Sequence, residues 1–128
     1  MKFEELCDAR YSLRKFDSRP VEAEKLQKVL EAGRKAPTAH NLQPQRFFVM
    51  QSEEALAKAD ACTAFHFHSP VVIVAAYDPE ISWKREEDGK NHGEIDVTLA
   101  VSQMMLQAAE LGLGTTYVGM FNTEKLLE

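Results

Sequence analysis

Three stretches of this 128-residue chain predict a fold that mixes helices and strands, α+β or α/β. Val21 to Lys35 has the apolar spacing of an amphipathic helix, with Leu26, Val29, Leu30 and Gly33 on one face. Pro70 to Tyr77 is a continuous apolar, β-branched run, as in a strand buried on both faces. Glu94 to Leu111 is a helix whose apolar residues cover most of its circumference. A helix of that kind is covered on more than one side, and a chain this short has little material with which to do it. A second subunit is one cover.

The remaining elements follow in order. Residues 3–9 form a short helix through Phe3, Leu6 and Cys7, and Arg10 to Phe16 is an extended or irregular segment with several donors. A turn around Pro20 leads into the amphipathic helix, which stops at Ala36-Pro37 because proline disfavours helix in the residue before it. Thr38 to Gln43 lies between Pro37 and Pro44 and is rich in small and amide residues, a rigid hydrogen-bonding loop. Arg46 to Gln51 is a strand and Glu53 to Asp60 a short alanine-rich helix. After the apolar strand, residues 78–93 make a charged excursion, a mobile lid or surface loop. In the long helix, Glu94 and Asp96 sit near the positive end of the dipole and Gly112 suits the left-handed stop. Thr115 to Phe121 is a third strand, and Thr123 starts a last helix running to Glu128. No repeat or domain boundary appears, so residues 1–128 are one domain.

With 45% hydrophobic and 27% charged residues the chain is globular. Its net charge of −5 argues against nucleic acid and anionic membranes as partners. Arg10, Arg14, Lys15 and Arg19 nevertheless cluster near the start. Cys7 and Cys62 form no pair motif, and no secretory signal opens the chain, so the expected location is the cytoplasm. The apolar runs are too short for a membrane-spanning helix.

His66-Phe67-His68 could set two imidazoles on one face of a strand, but no third ligand stands at suitable spacing, and no metal is expected. No nucleophile elbow or phosphate-binding glycine loop is present, and Gly112-Leu113-Gly114 is a helix stop. Two unlike segments remain. Arg10, Ser12 and Arg14 suit a phosphate, which guanidinium groups bind in bidentate fashion. Pro37 to Gln43 offers amides that donate and accept, as a heterocycle edge requires.

These segments, with Ser69-Pro70 before the apolar strand and Gly112 to Phe121 after the long helix, together resemble the nitroreductase family of flavoproteins, in the family's order along the chain. The resemblance implies an α+β fold with a mixed, mainly antiparallel sheet flanked by helices. It also implies a homodimer in which the long helices pack together and FMN lies at the interface. Arg10 and Ser12, with Tyr11 between them, would hold the phosphate and ribityl end, and Arg14 would lie near the ring's N1/O2 edge. Pro37, Thr38, Ala39 and Asn41 would reach the flavin from the opposite subunit, with Gln43 on the pyrimidine side. Tyr117, Val118 and Gly119 would line the other face.

Gln45 stands where the family commonly has Trp, and Met120 where it often has a second Gly. The family pattern continues past the last strand to further phosphate ligands and a dimer arm, which makes residues 1–128 a C-terminally short version. The implied activity is hydride transfer from NADH or NADPH through FMN to a nitroaromatic, quinone or similar small acceptor, with no dedicated catalytic side chain. The alternative is a flavin-binding or interaction protein without turnover.

Overall fold

The computed structural model describes residues 1–126. The chain forms α1 (Phe3–Ala9), α2 (Ala23–Arg34), a short 3-10 turn (Ala39–Asn41), β1 (Gln45–Met50), α3 (Glu53–Asp60), β2 (Val72–Tyr77), α4 (Gly93–Glu110) and α5 (Thr123–Leu126). Leu127 and Glu128, the end of the expected last helix, lie outside the described residues.

β1 and β2 pair antiparallel, with Gln45 opposite Tyr77 and Met50 opposite Val72. α4 packs on both strands and on α2. Val29 from α2 and Met104 and Ala108 from α4 centre the core, with Phe47 and Ile73 of the sheet against them. Gly33 lets α2 come close: a Cβ there would stand 2.6 Å from Met104 Sδ and 3.0 Å from a Phe47 ring carbon. Gln45 is buried, and its Nε2 donates to the Gly33 carbonyl at 3.1 Å, tying β1 to α2. α3 is capped by Ser52, whose Oγ accepts from Ala55 N–H at 3.1 Å. α4 ends as expected, with Gly112 at φ +79°.

Three expectations are corrected. Thr115 to Phe121 is not a third strand but an extended segment, since its polar groups bond elsewhere. Thr115 O accepts from Leu13 N–H at 2.8 Å, Met120 O accepts from the Thr63 hydroxyl at 2.6 Å, and Asn122 N–H donates to Cys62 O at 2.8 Å. The sheet is therefore an antiparallel pair plus one parallel bridge, Ser12 to Thr115. β2 is only half-buried and exposes Ala75, because one side of it meets a cavity of about 350 Å³ shared with Val97, Val101, Met105 and Val118 instead of a packed layer.

As the sequence led one to expect, this chain alone does not cover α4, of which it buries a single stripe: Gly93, Asp96, Ala100, Met104 and Ala108. Two strands and α2 cover one side only, so Ile95 and Leu99 stay 43% and 44% exposed. Finally, His66 and His68 occupy a turn rather than a strand face, with Phe67 and His68 at positive φ and the two rings edge-on at 4.7 Å. Residues 78–92 are a hydrogen-bonded surface loop, closed by a bridge between Lys84 and Asn91 and by His92 N–H donating to Trp83 O at 2.8 Å.

Candidate functional site

The basic segment leaves α1 at Arg10, whose backbone turns extended while its N–H still donates to Leu6 O at 3.1 Å. The next residues run parallel to Thr115, held by the Leu13–Thr115 hydrogen bond. Gly114 makes this possible. A Cβ there would overlap the Leu13 side chain, which would have to shift for any larger residue. Tyr11, Ser12 and Arg14 are exposed and Arg10 is half-buried. The segment that starts at Thr115 continues into exposed Tyr117, half-buried Val118 and exposed Gly119. Two of the three groups of site residues read from the sequence thus belong to neighbouring segments.

What sets this segment apart is the clustering of its cations along the chain. Arg19, Arg34 and Arg85 each pair with a carboxylate two or three residues away. Among the described residues, Arg10, Arg14 and Lys15 form no ion pair. Three unneutralised cations within six residues, in a chain of net charge −5, are a local anion-binding potential.

The third group lies in the loop between the two prolines. Pro37, Asn41 and Gln43 are exposed, and Thr38 and Ala39 half-buried. The loop is closed on itself: Asn41 N–H donates to Thr38 O at 2.9 Å, Leu42 N–H to Ala39 O at 3.3 Å, and Gln43 N–H to the Thr38 hydroxyl at 3.0 Å. His40, Asn41 and Gln43 all hold left-handed backbone, at φ +54°, +54° and +52°. None is a glycine, so the surrounding structure must support this conformation. Among the described residues no hydrogen bond joins this loop to the basic segment of the same chain. One chain therefore presents two separate polar patches.

Asp96 and Trp83 were not among the site residues read from the sequence. Ala39 N–H donates to Asp96 Oδ1 at 3.0 Å, linking the loop to α4. The Trp83 ring lies 5.0 Å from that of His40 and 4.6 Å from that of His92, placing the 78–92 loop beside the same patch. A signal for Asp96 existed: it interrupts an otherwise small and apolar i, i+4 series with Ala100, Met104 and Ala108. Nothing in the spacing of Trp83 indicates its contact with His40.

A helical layer on a small sheet, carrying a cation-rich segment and an amide-rich loop, makes this an α+β domain. The family model described as the nitroreductase family matches residues 8–63 and 56–128. A solved nitroreductase family protein of Clostridium difficile 630 is 40% identical, with a TM-score of 0.95 over 100% of this chain and 76% of its own. An FMN-dependent nitroreductase of Clostridium difficile R20291 is 32% identical, with a TM-score of 0.70 over 85% of this chain and 61% of its own. An NADPH-dependent oxidoreductase of Staphylococcus epidermidis is 27% identical over 136 residues, which take in 94% of this chain and 54% of that protein. The chain belongs to the nitroreductase family, and it spans about half the length of this last relative.

Proposed function

We propose that this chain is an FMN-dependent oxidoreductase that takes hydride from NADH or NADPH and passes it to a small acceptor such as a nitroaromatic or quinone, working as a homodimer. The observation that carries the reading is the cation set of Arg10, Arg14 and Lys15, unpaired among the described residues, flanking the point where Ser12 and Leu13 meet Thr115. The donor chemistry fits the cofactor: guanidinium groups and the exposed Ser12 hydroxyl suit a phosphate, and the exposed amides of Asn41 and Gln43 suit a heterocycle edge that both donates and accepts. Relatives named for FMN and for NADPH add to this support.

The bound flavin supplies the hydride chemistry, and the protein supplies binding, orientation and electrostatics. Arg10 and Ser12 bind the phosphate and ribityl end. Arg14 would hold positive charge beside the flavin, and Tyr117, Val118 and Gly119 would line it. Pro37, Thr38, Ala39, Asn41 and Gln43 would act on the flavin bound mainly by the other subunit, which agrees with the lack of any hydrogen bond between the two patches of one chain among the described residues. The exposed Ile95 and Leu99 of α4 form the dimer seam.

The test is the flavin content and solution mass of the purified protein. A dimer carrying stoichiometric FMN that oxidises NADH or NADPH with a nitroaromatic acceptor is expected. Colourless protein that gains no flavin absorption on FMN addition rejects the reading.

A further inference from the structure

Asp96 is 1% exposed, yet it sits in the first turns of a helix whose buried stripe is otherwise small or apolar. A buried carboxylate needs partners, because the charge has lost its water. Among the described residues no cation lies within ion-pair distance of it. Its Oδ1 accepts the Ala39 N–H at 3.0 Å, and its Oδ2 is buried with no partner. The positive end of the α4 dipole favours the charge, but it does not explain why a carboxylate is placed there at all.

The loop above supplies a reason. Three of its residues hold left-handed backbone without glycine, and its other hydrogen bonds are internal or run to the adjoining strand. The Ala39–Asp96 contact is the hydrogen bond that reaches from the 3-10 turn to the long helix. We propose that Asp96 is a positioning residue: its carboxylate pins Ala39 to α4 and so sets the orientation in which Asn41 and Gln43 meet the flavin. The Ala39 N–H is then committed to the protein and is not a cofactor ligand. This inference rests on the flavin reading above.

Two substitutions remove the contact from opposite ends. Asp96→Leu keeps the branching of the side chain and deletes the acceptor, at the cost of two bulkier methyl groups in a buried site, and Ala39→Pro deletes the donor while leaving Asp96 in place. Asp96→Asn keeps an acceptor oxygen and is the conservative control. The readouts are the FMN dissociation constant and amide hydrogen exchange of the cofactor-free protein. Losing one hydrogen bond to a charged group predicts about tenfold weaker FMN binding and about tenfold faster exchange at residues 38–43 for Asp96→Leu and Ala39→Pro. Exchange in α2 and the sheet stays unchanged, Asp96→Asn restores both readouts most of the way, and the double variant is no worse than either single one.

Additive losses in the double variant overturn the proposal, as does Asp96→Leu with wild-type loop exchange and affinity. Faster exchange throughout the molecule for both single variants also overturns it, because Asp96 would then be a general stability residue. Should Asp96→Leu fail to fold, Ala39→Pro decides between these outcomes alone. Wild-type protein that binds no FMN rejects the function proposed above, and the exchange pattern still decides whether the anchor exists.

Discussion

Arg14 and Gly33 show how differently single residues read from the sequence. Arg14 was legible as a site residue because cations clustered in an acidic chain stand out one by one, and the structure leaves it exposed and, among the described residues, unpaired. Arg14→Ala is expected to weaken FMN binding by about tenfold, the loss of one charge-assisted contact, with the unfolding midpoint unchanged. Equilibrium titration with FMN checks it, and unchanged affinity would mean the cofactor lies elsewhere. Gly33 was read only as part of a helix face. Its reason is Met104 and Phe47 pressing on the space a methyl group would need. Gly33→Ala gains about 1 kcal/mol of helix propensity and loses about 1–3 kcal/mol to overpacking. A net loss of about 1 kcal/mol in urea unfolding is expected, since the Phe47 ring must also give way even if Met104 moves aside.

Among the elements, helices were the most legible, because the 3.6-residue period is carried within one segment. α2, α3 and α4 fall within a residue or two of expectation. Thr115 to Phe121 has strand-forming residues and still forms no ladder, for a strand needs a neighbour in register and this segment bonds to Leu13 and to the 62–63 turn. The 78–92 loop was legible as charged and not as ordered. Arg85 pairs with Asp88, and its guanidinium holds the Asp88 carboxyl below its ordinary value, with the Lys90 N–H adding to the effect. A lowered folded value means that the carboxylate stabilises the loop fully above the ordinary aspartate value of 3.8, and that this contribution is lost as pH falls through the lowered value. Amide exchange at residues 85–91, corrected for its intrinsic pH dependence, should lose protection only in that acid range. The pair is solvent-exposed, so the effect should shrink in high salt.

For the whole molecule, the long helix connects the chain's composition to its assembly. Ile95 and Leu99 form an exposed apolar seam on the face of α4 away from the core. Placing a charge there should prevent burial against a second copy. Leu99→Glu is therefore expected to give a monomer by solution mass, with weaker FMN binding because in the proposed dimer each site draws on both chains. A dimer of unchanged stability would sink that interface. The sequence by itself determined the fold class, the order of the helices and the two polar segments that stand as site candidates, because periodicity, prolines and local charge act over a few residues. Only the tertiary structure decided that α4 buries one stripe, that Leu13 crosses Gly114 beside Thr115, and that Asp96 holds a loop 57 residues away in the chain. Those facts are contacts between distant segments, and they depend on how each surface is covered, which no local pattern records.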